Sequence, residues 1–234
     1  MNPLRISYKL AAAVSNGLAQ TQSLGAAGNL TLNGSLVTGG VGTLDSGGVA
    51  RRVVITSAAD DSALTWTITG TDRLGIAQTD TVSGAAVAVK SALDFKTVTR
   101  IRGSAATAGN VIAGTDGTGS TQWFIREWMS MGALGVLMYF APGVTATANF
   151  EVTLDDPNVI QDLTPYQASP ESQSAYPPIA VSPTGWSALN ASKIDTVIVP
   201  HFAWRMTITA GTDPVVLQVI ETVQAREGSG QGGI

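Results

Sequence analysis

LTWTITGTDRLGIAQTDTVSG, residues 64–84, alternates large apolar residues with threonine, breaks at Gly70, Thr71 and Asp72, and alternates again. Successive side chains of an extended chain leave on opposite faces, so Leu64, Trp66 and Ile68 share one face and Thr65, Thr67 and Thr69 the other. One apolar face and one hydrated face predict an antiparallel strand over a core. Threonine suits the hydrated side: its β-branch favours the extended backbone while its hydroxyl stays in water. Residues 70–75 supply the connection and 76–82 the return strand, so the stretch reads as a hairpin built for structure, with no reactive group in it.

The same pattern runs longest at 144–154. Val144, Ala146, Ala148, Phe150, Val152 and Leu154 alternate there with Thr145, Thr147, Asn149, Glu151 and Thr153, until Asp155, Asp156 and Pro157 end the strand. Further strands are predicted at 29–32, 52–56, 97–102, 111–113, 196–199, 204–209 and 215–223, with 210–214 as a hairpin loop between the last two. Helical periodicity is confined to two short candidates, 5–14 and 123–131. The uncharged run 128–150 has an apolar part, 132–141, about half as long as the roughly 20 residues of a membrane-spanning helix. It reads as a buried strand followed by a turn, with no membrane span.

Short strands separated by glycine-rich turns predict an all-β protein: one or two antiparallel, jelly-roll-like β-sandwich domains with an extended N-terminal arm. By composition the arm is 1–28, a first β domain 29–113, a Gly/Thr-rich linker 114–122, a second β domain 123–224 and a Gly-rich tail 225–234. The proline-rich stretch 165–183 reads as an extended loop over the second domain. Two segments echo each other, VTRIRGSAATAGNVIAGT (98–115) and AWRMTITAGTDPVVLQVI (203–220). Each has an arginine-bearing strand, a small-residue turn and a valine-rich strand; a duplication and two ordinary hairpins both explain this. The tail, GSGQGGI, has the composition of a segment that orders only against a neighbour.

The chain has 234 residues and no cysteine, which removes disulfides, thiolate zinc sites and cysteine nucleophiles together. Only 13% of residues are charged, against an ordinary share of roughly 25%. The surface is therefore covered by uncharged polar residues, or it is partly buried by partners. A net charge of −4 supplies no basic field for nucleic acid or an anionic membrane. The start, MNPLRISYKLAAAV, has an apolar run too short for a secretory signal.

Chemistry is sparse. His201, the single histidine, sits between Pro200 and Phe202 and reads as structural. No nucleophile elbow, phosphate loop or dinucleotide fingerprint is present. Asp60-Asp61 and Asp155-Asp156 are adjacent pairs, which point to opposite faces and suit turns better than catalysis or calcium. No cofactor and no metal are expected. Of the tryptophans, Trp66 and Trp204 read as core. Trp123 and Trp186 have two readings, core packing or an exposed platform for a sugar or a protein partner.

Three runs carry a family resemblance: NGLAQTQSLGAAGNLTLNGSLVTGG-VGTLD (16–45), RRVVITSAADDSALTWTITGTD (51–72) and FKTVTRIRGSAATAGNVIAGT (95–115). With VTLDDP (152–157), Trp186 and RMTITAGT (205–212), they resemble virion structural proteins of tailed, often short-tailed, bacteriophages. These are strand and turn signatures, and they carry over no catalytic residue. The resemblance implies a non-enzymatic virion component at the tail or neck, bridging or anchoring parts such as fibres. It implies homo-oligomerisation and contacts with tail adaptor, nozzle, fibre or capsid subunits. A capsid decoration protein is the alternative within that class, and a carbohydrate-binding adhesion module using Trp123 or Trp186 is the alternative outside it. Interface contacts are expected from Leu4, Ile6 and Tyr8 in the arm, from Trp123 and Trp186, and from Ile234.

Overall fold

A computed structural model describes residues 4–45, 47–125, 133–155, 179–198 and 201–221. Strands are numbered in chain order. The 64–84 stretch forms the hairpin its alternation predicts: β7 (Thr65–Thr71) pairs antiparallel with β8 (Ala77–Ser83), from Thr65↔Ser83 to Thr71↔Ala77. Leu64, Trp66 and Ile68 are buried. Gly70 and Thr71 belong to the strand, not to the connection. The turn is organised by Asp72, whose Oδ1 accepts the N–H groups of Leu74 (2.9 Å) and Ile76 (2.8 Å).

The described chain is all-β, and every strand pairing is antiparallel. Three sheets are present. A six-stranded sheet runs β4 (Val37–Thr38), β5 (Val41–Thr43), β10 (Thr97–Gly103), β7, β8, with β3 (Gly28–Asn29) also on β10. A seven-stranded sheet runs β12 (Phe124–Ile125), β16 (Ala203–Ala210), β11 (Val111–Ser120), β6 (Ala50–Ser57), β9 (Ala88–Phe95). It adds β14 (Thr147–Thr153) on β16 and β2 (Ala19–Gln22) on β11. A four-stranded sheet runs β1 (Leu4–Tyr8), β17 (Val215–Glu221), β13 (Leu134–Phe140), β15 (Lys193–Val197).

The seven-stranded sheet is shared by two β-sandwiches. Its β6, β9 and β11 region closes a core with the six-stranded sheet, around Trp66, Ile68, Phe95, Val98, Ile101 and Val111. Its β14 and β16 region closes a second core with the four-stranded sheet, around Phe150, Trp186, Trp204, Met206, Leu217 and Val219. Phe150 packs between Trp186 and Trp204, with ring centroids at 5.5 and 5.9 Å. At about 25 cal/mol per Å² of apolar surface, rings of this size dominate such a core.

Three sequence expectations are corrected. The stretch 114–122 is not a linker. Residues 114–120 continue β11, which pairs with β6 on one side and joins β16 at Gly119↔Ile208 and Ser120↔Thr207 on the other. The glycines are there for proximity: a Cβ on Gly114 would meet the Val14 carbonyl oxygen, and one on Gly119 would come within 2.6 Å of Ala50 O. Nor does the extended arm expected over 1–28 stand apart from the sandwiches in its described residues, 4–28. β1 is an edge strand of the four-stranded sheet, Leu4↔Val219 to Tyr8↔Val215, and Leu10 enters the second core while Leu18 and Ala19 enter the first. Between them Thr115 N donates to Val14 O (2.9 Å) and Arg51 Nη2 to Ala12 O (3.2 Å), so the segment straps both sandwiches.

Finally, 210–214 is not a hairpin loop. β16 and β17 lie in different sheets, so the turn arches from one layer to the other. Gly211 has φ +81°, and Asp213 Oδ2 accepts Thr145 N–H at 2.9 Å. The echoing segment does the same: β10 and β11 lie in opposite layers, bridged by 104–110. Residues 5–8 of the first helix candidate are strand, as are Phe124 and Ile125 of the second. The rest of 126–131, Trp128, Asp156, most of the proline-rich stretch, the 225–234 tail and Ile234 lie outside the described residues.

Candidate functional site

The residues singled out in the sequence do not converge. Ile6 and Tyr8 point with Leu217 and Val215 into the second core, so they serve a contact within the chain. Leu4 shares their register position opposite Val219. Trp186 is buried at 2% exposure, with the Lys193 ammonium 4.9 Å from its ring centroid. It has no face free for a sugar. Trp123 is half-buried, and the Arg205 guanidinium covers its ring at 4.5 Å. His201 is buried two residues before β16. Asp61 spans a turn, accepting Ala108 N–H (2.7 Å) and the Ser57 hydroxyl (2.6 Å), and Asp60 accepts Ser62 N–H. Among the described residues no group of three or more His, Asp or Glu side chains is placed to hold a metal ion.

Charge gathers where the two sandwiches meet. Arg205 on β16 reaches Glu151 on β14 (Nε to Oε2, 2.7 Å) and Asp94 on β9 (Nη1 to Oδ2, 3.8 Å). Ser120 on β11 donates to Asp94 Oδ2 at 2.6 Å, and Arg52 on β6 lies 3.6 Å from Asp94 Oδ1. Burial raises the Asp94 carboxyl above the ordinary carboxylate range, against the pull of Arg205, Ser120 and Arg52, and Glu151 adds to the rise. Every group in this set has a partner in the set, which marks it as a clasp across the seam.

A cavity of about 270 Å³ lies between β1, the 47–48 turn and β12, lined by Ile6, Tyr8, Gly48, Arg73, Gln122 and Phe124 among others. Arg73 is already held, by Asp45 (2.7 Å) and by Gly48 O (3.0 Å). Burial pushes the Tyr8 phenol up to about 12, with Arg73 pulling the other way. The cavity is smaller than the roughly 300–1,000 Å³ of ligand sites, and its one cation is spent internally.

The remaining surface of interest is the outer face of the four-stranded sheet. In β13, Leu134, Val136, Met138 and Phe140 face the core, which leaves Leu137 and Tyr139 outward. Their cross-strand neighbours are Val216 beside Tyr139 and Ile194 beside Leu137, and Ile220 is opposite Gly135. Ile194 is 77% exposed and Tyr139 42%. A strand with one wet face alternates, whereas β13 is apolar on both. That two-sided apolarity was the available signal in 132–141. Read as burial within the chain, it hid a face that no described strand covers.

A scan against protein-family models finds no match, and searches of curated proteins and of solved structures find none.

Proposed function

We propose that this chain is a non-enzymatic structural component of a bacteriophage particle, seated at the tail or neck, where it anchors or bridges other tail parts such as fibres. One observation carries the reading: no described strand covers a sheet face where Leu137, Tyr139, Val216, Ile194 and Ile220 lie beside Gln218 and Thr196, in a chain with only 13% charged residues. Apolar side chains gathered on an exposed face mark protein contacts, and depletion of charge is the compositional signal of an interface centre. The resemblance of its strand and turn signatures to tailed-phage virion proteins supports one class of partner: adaptor, nozzle, fibre or capsid subunits, and further copies of the chain.

The continuous sheet through β11 and β16 favours a second placement as well, a decoration protein lying on the capsid shell, since a block without a hinge at 114–122 suits a flat lattice site. Mass spectrometry of purified particles tests the class; absence of the chain removes both placements. Copy number then separates them, because closed rings at the tail hold roughly a dozen to a few dozen subunits and a shell holds hundreds. The sugar-binding alternative loses Trp186 to the core.

A further inference from the structure

We infer that the open edge of β15 is a self-pairing strand, which joins the four-stranded sheets of two copies of this chain antiparallel across a two-fold axis centred on Ile194. This names a surface for the self-association proposed above and rests on that reading.

Among the described residues, no backbone group pairs with the outer side of Lys193–Val197, which ends its sheet. The other edge of that sheet, β1, runs into the 47–48 turn, with Lys9 N donating to Gly47 O. The outer edge of β14 is bridged by Val181 and Leu189. In the six-stranded sheet β8 is tied to β9, Asp80 Oδ2 accepting the N–H groups of Ala92 and Leu93. β15 has no such tie along its outer side among the described residues, and it carries Ile194 at 77% exposure and Ile198, just beyond it, at 80%. β-Branched residues on an unpaired edge are a template for another strand.

The edge is guarded by its own side chain. Thr196 N–H turns away from β13 and donates to Asp195 Oδ1 at 2.8 Å. Backbone groups two residues apart leave a strand on the same side, so Ile194 presents its N–H and C=O to the open edge too. An antiparallel two-fold at Ile194 makes Ile194 and its copy exchange both hydrogen bonds. It sets Lys193 opposite the copy's Asp195, and Asp195 opposite the copy's Lys193. The triplet Lys193-Ile194-Asp195 is therefore its own complement in charge. Within one chain the Lys193–Asp195 contact is loose, 3.7 Å, with Asp195 exposed. Moving Asp195 to the opposite Lys193 frees Thr196 N–H for the Ser192 carbonyl of the other copy, so the guard becomes a fastener. The apolar faces around Leu137 and Ile194 of the two copies then run on as one surface.

The test is sedimentation and light scattering on the purified full chain between about 1 and about 200 µM. The expected result is a reversible dimer. Ile194→Pro removes one N–H that faces solvent and leaves the pairing with β13 intact, so it is expected to stay monomeric with an unchanged circular dichroism spectrum. Asp195→Lys sets like charges opposite each other twice and is expected to raise the dimer dissociation constant about ten-fold or more. Adding Lys193→Glu chain to Asp195→Lys chain restores pairing, as a heterodimer. A wild-type chain that is monomeric throughout overturns the inference. Association of Ile194→Pro as tight as wild type also overturns it, while leaving self-association through another surface standing.

Discussion

Gly70 shows how tightly a single position is determined. A Cβ there would lie on the Thr97 carbonyl oxygen of the neighbouring strand β10 and 3.0 Å from the buried Phe95 ring. Gly70→Ala is expected to cost about 1–3 kcal/mol in urea unfolding, the range for overpacking. Gly117→Ala is the control: nothing lies within 4 Å of its Cβ and its φ is ordinary, so a change within about 0.5 kcal/mol is expected. Tyr8 supplies a second prediction at this scale. Its phenol keeps its proton up to about 12 in the folded chain and loses it near 10.0 when unfolded. Between those values the folded state binds more protons, so stability falls as pH rises through the window. Tyr8→Phe removes that loss, and alkaline unfolding followed by tryptophan fluorescence is expected to come at higher pH in the variant than in wild type, each referenced to its own stability at pH 7.

At the level of elements, β1 is the one most exposed to test. It is held by its register on β17 and by Ile6 and Tyr8 facing the second core. Ile6→Asp places a charge in that core and is expected to release the strand; hydrogen exchange then shows lost protection at 215–219, with 65–71 unchanged. Strands were legible in the sequence because alternation is local, and turn aspartates such as Asp60 and Asp72 were legible because they bond backbone within a few residues. Connections were not. A hairpin and an arch between layers carry the same alternation in both flanking strands, so Met206 and Ile208 before 210–214, and Val215 and Leu217 after it, read alike in either case. Only the hydrogen-bond partners, β14 for one strand and β13 for the other, distinguish them. Glycine misled for a related reason. Gly114 and Gly119 look like a flexible linker by composition, but what they accommodate is backbone from Val14 and Ala50, far off in sequence. The candidate site was missed because two-sided apolarity in β13 signals cover without saying whose.

For the molecule as a whole, the clasp around Asp94 couples the two sandwiches to pH. The folded carboxyl holds its proton above the ordinary range, so from the unfolded value of about 4 upward the folded state binds more protons and stability declines as pH rises. Asp94→Asn keeps an acceptor for Ser120 and removes the titration. Its melting temperature is expected to vary less than that of wild type as pH rises from about 4 to about 7. A larger consequence follows from the strap. Leu4 pairs with Val219, so among the described residues the first strand is completed by the last. At ordinary translation rates of about 5–20 residues per second, the ribosome takes about 10–40 s to travel from one to the other. Throughout that interval the second sandwich lacks the strand that joins β1 to β13. A chain that stops before Val215 therefore cannot close its second core, which counts Val215, Leu217 and Val219 among its buried residues.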